Sequence, residues 1–179
     1  ELGAGRGIAG LSAARLGAKR VVLTDLQYAL AGLHETVNAN DSFAVNGVEA
    51  CKLEVTELDW GRPSGFLKRN PPGSFDTVLA ADATWLLELV PLLVMALAAI
   101  SEHSPAVEVL LLHQTRASNV DRELLRLMAE SSFETAWTLR GGQDDGSWKA
   151  LPAHWHPSFT PDDRMNLFCF RRAAVPEAT

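Results

Sequence analysis

The residues best suited to chemistry stand at the head of the chain, in Glu1-Leu2-Gly3-Ala4-Gly5-Arg6-Gly7-Ile8-Ala9-Gly10. Glycines at this spacing let a backbone leave a strand, turn sharply and point its N–H groups at a ligand before a helix begins. Such a turn cradles a nucleotide. Gly5-x-Gly7-x-x-Gly10 also satisfies the dinucleotide fingerprint, which would place a pyrophosphate there. Glu1 points elsewhere, because a carboxylate two residues ahead of the first glycine suits a cationic ligand group. Asp25 follows about 20 residues beyond the glycines, where a nucleotide fold carries the acid that binds ribose hydroxyls; the plainer reading makes it a helix cap. Asp59 and Trp60 offer an acceptor for an adenine amino group and a face for its ring, or else a loop acid and a core tryptophan. Asp82-Ala83-Thr84-Trp85 closes the set, preceded by Ala80 and Ala81, which are small enough for a ligand to lie against the backbone.

These residues need a scaffold, and the sequence supplies an alternation of helices and strands. Leu11 to Leu16 are helix formers, and Gly17 stands where a glycine stops a helix. Arg20 to Asp25 reads as a buried parallel strand ending on an acid. Leu26, Leu30, Leu33 and Val37 repeat at helical spacing, which predicts a helix from Gln27 to about Ala39. A short strand is expected over 48–55, a turn over 57–63, and a second buried strand over Phe75 to Asp82. A helix from Val90 to Ile100, a strand from Val107 to Leu112 and a helix from Asn119 to Glu130 continue the pattern. Phe133 to Leu139 and Met165 to Arg171 read as two final strands, the latter alternating Leu167, Cys169 and Arg171 against Phe168 and Phe170. Residues 140–164 form an irregular connection rich in Gly, Pro and Trp, suited to a substrate lid.

Composition bounds the function. The 179 residues are 47% hydrophobic, which predicts one domain over 1–172 followed by a polar tail over 173–179. A net charge of −6 with scattered Lys and Arg leaves no electrostatic footprint for nucleic acid. Cys51 and Cys169 lie far apart without metal-ligand spacing, and His154-Trp155-His156 has no partnering Cys or Asp, so neither a disulfide nor a metal site is expected. Reduced thiols place the protein in the cytoplasm, with the nucleus as a further compartment. The apolar run from Trp85 to Ile100 contains Glu88 and Pro91 and is shorter than the ~20 residues of a membrane span. No apolar strand precedes Glu1, so the first strand of the sheet is expected to be missing and the domain truncated at its N-terminus.

Taken together, Glu1-Leu2-Gly3-Ala4-Gly5, Thr24-Asp25, Leu58-Asp59-Trp60 and Phe75 to Asp82 resemble the seven-β-strand S-adenosylmethionine (SAM) methyltransferases of the lysine methyltransferase family 16 type. These include the methyltransferase-like 21 proteins and the fungal nicotinamide N-methyltransferase-like proteins. The resemblance implies an α/β fold with a Rossmann-like class I methyltransferase sheet, mostly parallel, with an antiparallel C-terminal strand. It implies that SAM is the cofactor, with Glu1, Gly3, Gly5 and Gly7 around its methionine part, Asp25 at the ribose hydroxyls and Leu26 among the cofactor-binding residues. Asp59 and Trp60 would lie by the adenine, Ala81 beside the bound cofactor, and Asp82 and Trp85 at the transferred methyl and the acceptor. The acceptor it implies is an amine, of a protein lysine or of a small molecule such as nicotinamide. Many members carry Asp-x-x-Tyr where this chain has Asp82-Ala83-Thr84-Trp85, and Trp85 brings a π face in place of a hydroxyl. An NAD(P)-dependent oxidoreductase and a non-catalytic methyltransferase-like binding module are the competing classes. The oxidoreductase lacks a Tyr-Lys or Cys-His set, since Tyr28 is the only tyrosine.

Overall fold

The computed structural model describes residues 1–40, 51–140 and 164–173. The run Arg20-Val21-Val22-Leu23-Thr24-Asp25 forms β1 (Arg20–Asp25), whose four middle residues are all buried, as a parallel strand covered on both faces requires. Ahead of it α1 (Ile8–Arg15) starts earlier than its helix formers suggest, straight from the glycine turn. It stops as expected: Gly17 adopts φ +99, and the Gly17 and Ala18 N–H groups return to the carbonyls of Ala14 and Ala13. After β1 the chain makes a 3-10 turn (Gln27–Ala29) before α2 (Leu30–Ala39), which buries Leu33 and Val37 from the predicted stripe.

β2 (Lys52–Glu57) pairs in parallel with β1, Leu23 opposite Val55; it begins four residues and ends two residues later than the expected strand. A short helix, α3 (Ser64–Arg69), had no counterpart in the sequence pattern, which showed only turn formers there. β3 (Thr77–Ala81), α4 (Leu89–His103), β4 (Glu108–Gln114), α5 (Ser118–Glu130), β5 (Phe133–Arg140) and β6 (Met165–Arg172) complete the order. β3 pairs in parallel with β4, while β6 lies antiparallel between β4 and β5. The expected antiparallel C-terminal strand is therefore present. Phe168, Cys169 and Phe170 are all buried, so both faces of β6 are covered there, and the alternation read from its sequence does not separate an inside from an outside.

Leu2 joins the two halves of the sheet. It bridges in parallel to Thr24 of β1 and to Ala80 of β3, so the strands follow the order β2-β1-Leu2-β3-β4-β6-β5. Beside it a cleft of about 930 Å³ runs between β1 and β3, with Val22, Phe66, Val78 and Ile100 in its walls. Successive β1 side chains point to opposite faces. Val21 and Leu23 pack with Leu11, Ala14, Leu33 and Val37 of α1 and α2. Val22 joins the larger core, where Leu93, Leu97 and Ile100 of α4 and Leu124 and Met128 of α5 cover Val109, Leu111 and Phe170. Both cysteines are free thiols, Cys51 half-buried and Cys169 buried. No helix among the described residues is long and apolar enough to cross a membrane. Most of the connection read as a lid, with His154 and His156, lies outside the described residues, as do 41–50 and the tail from 174.

Candidate cofactor and acceptor site

The predicted site residues gather at the carboxyl ends of β1, β2 and β3, the edge where open α/β sheets hold ligands. Gly3, Gly5 and Gly7 adopt φ +62, +55 and +77, so the head of the chain makes the sharp turn read from its glycines. The turn is tied down at three points. The Ala4 N–H donates to the Thr24 carbonyl at 2.9 Å, the Gly5 N–H to Asp25 Oδ2 at 2.8 Å, and the Gly10 N–H to Glu1 Oε2 at 2.8 Å. Glu1 thus holds the opening turn of α1 through Gly10. Burial pushes its carboxyl up from the ordinary value, opposed by the Gly10 N–H.

Asp25 serves two backbone donors, since Oδ1 accepts from the Leu26 N–H at 2.7 Å while Oδ2 holds Gly5. Each carboxylate oxygen has a further lone pair, so the group can still accept from ligand hydroxyls. Leu26 is 42% exposed beside it. The Leu58 N–H donates to the Asp25 carbonyl at 3.0 Å, which sets the Asp59-Trp60 pair next to the β1 tip. Asp59 Oδ1 accepts from the Gly61 N–H at 2.9 Å and shapes the turn there. Trp60 packs across the cradle: a Cβ built on Gly3 would lie 3.0 Å from Trp60 Cζ2 and 4.0 Å from the Ala83 methyl. Gly3, Trp60 and Ala83, from three separate chain segments, therefore converge on one spot.

Ala81 ends β3, and Asp82 breaks out of the strand with φ +53, its N–H still bonded to the Leu112 carbonyl at 2.8 Å. That left-handed turn ends β3 one residue before the expected Asp82, while the strand begins at Thr77, two residues after the expected Phe75. The Asp82 side chain pairs with Arg116, Nη2 to Oδ2 at 2.6 Å, and Trp85 is 54% exposed. Sequence reasoning missed Arg116, Thr84, His113 and Asp121, which surround this turn. The available signal was the polar run His113-Gln114-Thr115-Arg116 at the end of a buried strand, where ligands and their supports collect.

The donors fit the group that the resemblance implies. A glycine stands where any side chain would strike Trp60, a carboxylate lies at the β1 tip, and an indole faces the turn. No cluster of three or more His, Cys, Asp or Glu able to hold a metal ion occurs among the described residues.

A glycine turn after Leu2, an acid at the tip of the next strand and an antiparallel β6 inserted beside β4 define a Rossmann-like methyltransferase domain. The solved ribosomal protein L11 methylase of Lactobacillus delbrueckii subsp. bulgaricus shares this fold, with a TM-score of 0.57 at 20% identity over 97% of this chain and 68% of that one. The sequence profile described as lysine methyltransferase matches residues 1–131, and the chain belongs to that family. Among curated relatives, the protein N-lysine methyltransferase METTL21A of Danio rerio is 38% identical over 101 residues, covering 54% of this chain and 41% of its own length. The EEF1A lysine methyltransferase 3 of Xenopus tropicalis is 38% identical over 97 residues, covering 54% of this chain and 38% of its own. The matched stretch is thus about two fifths of each of these relatives. The oxidoreductase alternative finds no counterpart among them.

Proposed function

We propose that the chain carries the cofactor and acceptor site of a SAM-dependent protein-lysine N-methyltransferase. The convergence of Gly3, Asp25, Trp60 and Asp82 at one edge of the sheet carries this reading, supported by family membership. SAM would supply a methyl group already activated for attack by a neutral amine. Glu1 and the glycine turn would hold its methionine end, Asp25 and Leu26 its ribose, and Asp59 and Trp60 its adenine, with Ala81 as a wall of the site. The chain's own task is alignment and exclusion of water. A lysine amine has a reference pKa of ~10.4, and entry beside the indole of Trp85 would favour its neutral form through desolvation. The Asp82 carboxylate would orient that amine through a hydrogen bond and take up its proton.

The two free thiols suit a reducing compartment, which supports the cytoplasm, with the nucleus as a further site. The acceptor class follows the relatives, and a small amine is the alternative. Calorimetric titration with SAM, followed by transfer from tritiated SAM to purified EEF1A or to nicotinamide, tests the reading. Saturable SAM binding with label on protein lysine supports it. Label on nicotinamide alone moves the acceptor to the small amine, and no SAM binding refutes the enzyme and leaves a binding module.

A further inference from the structure

Behind the exposed turn that carries Asp82 and Trp85 runs a closed circuit of polar contacts. Arg116 Nη2 donates to Asp82 Oδ2 at 2.6 Å and also reaches Gln114 Oε1 at 3.4 Å. Its chain neighbour Thr115 donates through Oγ1 to Asp121 Oδ2 at 2.8 Å. Asp121 Oδ1 lies 2.6 Å from His113 Nε2, and His113 Nδ1 lies 2.6 Å from Thr84 Oγ1. Thr84 is two residues from Asp82, so the circuit returns to where it began. A further bond from the Thr115 N–H to the Arg164 carbonyl, 2.8 Å, fixes it to the chain entering β6.

The chemistry of the circuit is fully matched. In the tautomer that donates Nε2–H to the Asp121 carboxylate, Nδ1 accepts from the Thr84 hydroxyl. His113 and Thr84 are both 2% exposed, and each of their polar side-chain atoms has a partner. A buried polar network in which every member is satisfied is rigid, and removing one member strands the others. Asp82 needs such support, because a residue with a side chain keeps φ +53 only where its surroundings hold it. Among the described residues, Arg116 bonds one oxygen of Asp82, and no hydrogen bond reaches Oδ1.

We propose that His113 and Arg116 are positioning residues for methyl transfer. Arg116 holds Oδ2 so that Oδ1 faces the acceptor amine, and His113 holds Thr84 so that the 82–85 turn keeps Asp82 and Trp85 in place. This rests on the methyltransferase reading, and neither residue touches the acceptor. The test uses Thr84→Val, which keeps the shape and removes the hydroxyl, with His113→Gln, Arg116→Gln and Arg116→Lys in the 179-residue chain. The readouts are the SAM Kd by calorimetry, kcat and KM on purified EEF1A, and the 19F spectrum of protein labelled with 5-fluorotryptophan. Trp85→Phe assigns the Trp85 line.

Expected for Thr84→Val and His113→Gln is a shifted or broadened Trp85 line with the Trp60 line in place and a SAM Kd within about twofold. A displaced carboxylate should lower kcat by about tenfold or more in these variants and in Arg116→Gln, with KM nearly unchanged, since misplacement by a fraction of an ångström costs rate in this range. Arg116→Lys should recover most of the rate. A merely structural role would lower thermal stability and active fraction without moving the Trp85 line. An unmoved line in Thr84→Val and His113→Gln, or unchanged kcat in all three neutral variants, overturns the proposal. If the unsubstituted chain binds SAM but transfers no label, the acceptor reading fails, while the 19F comparison still decides whether the circuit holds the turn.

Discussion

Gly3→Ala puts the convergence of the glycine turn and Trp60 under direct test. At φ +62 an alanine incurs the left-handed penalty of roughly 1–2 kcal/mol. Its methyl would also lie 3.0 Å from Trp60 Cζ2, tighter than ordinary contact, and the indole must move by a few tenths of an ångström. Overpacking in a well-packed site costs roughly 1–3 kcal/mol, and the half-buried ring can give, so about 1 kcal/mol is the reasonable share. Gly73→Ala isolates the backbone part, because Gly73 has φ +74 and nothing within 4 Å of an added Cβ. The two variants should therefore differ by about 1 kcal/mol, or about 2–4 °C in Tm for a domain of this size. If Trp60 faces the adenine as proposed, shifting its indole should weaken SAM binding by on the order of tenfold in Gly3→Ala and leave it unchanged in Gly73→Ala. Thermal unfolding by circular dichroism and calorimetric titration with SAM give both numbers, and repeating Gly3→Ala in a Trp60→Leu background should abolish the excess cost. Equal destabilisation by the two variants, with equal SAM affinity, would refute the argument that Trp60 closes over the turn.

Asp25→Asn leaves one oxygen where two backbone donors converge, so it should weaken SAM binding by about tenfold and lower stability by about 1 kcal/mol; an unchanged Kd in calorimetry would remove Asp25 from the ribose. Glu54 accepts from Arg20 and Lys52, which holds its carboxyl down at about 2. Its folded value lies below the ordinary 4.5, so its contribution is complete above pH 4.5 and is lost as pH falls toward 2. With about a third of the side chain exposed, solvent screening reduces the contribution to about 1 kcal/mol. Urea unfolding at pH 7 and pH 2.5 should show Glu54→Gln losing that much less stability than the unsubstituted chain.

The sequence carried the elements whose signal is local. β1 could be read to the residue because a run of β-branched and aliphatic side chains ends on an acid and both faces of the strand are buried. Gly17 marked the end of α1 because a left-handed residue there needs no Cβ. Asp25 could be expected near the glycine turn from its spacing, since adjacent parallel strands bring their tips together, whereas the roles of Asp59, Trp60 and Asp82 came from the family resemblance. What stayed hidden depends on contacts distant in sequence. The bond from Glu1 to Gly10, the packing of Trp60 over Gly3 and the Arg116 pairing with Asp82 leave no periodic trace. The burial of Phe168, Cys169 and Phe170 together requires cover on both faces of β6, which a two-residue period does not reveal. α3 went unread because six residues after a proline are too few to show a helical stripe.

The insertion of β6 between β4 and β5 ties the end of the chain's sheet to the strand beside Asp82. β5 runs in the same direction as β4, so Arg140 at its end and Met165 at the start of β6 stand on the edge that carries Gln114 and, one strand further, Asp82. Both strand ends therefore stand on the Asp82 side of the sheet, while the glycine turn and Asp25 belong to the opposite half. The pairing that places Asp82 beside Leu112 thus continues through β4 into β6 and β5, and it can loosen or tighten as one unit without passing through the strand pair that carries Asp25.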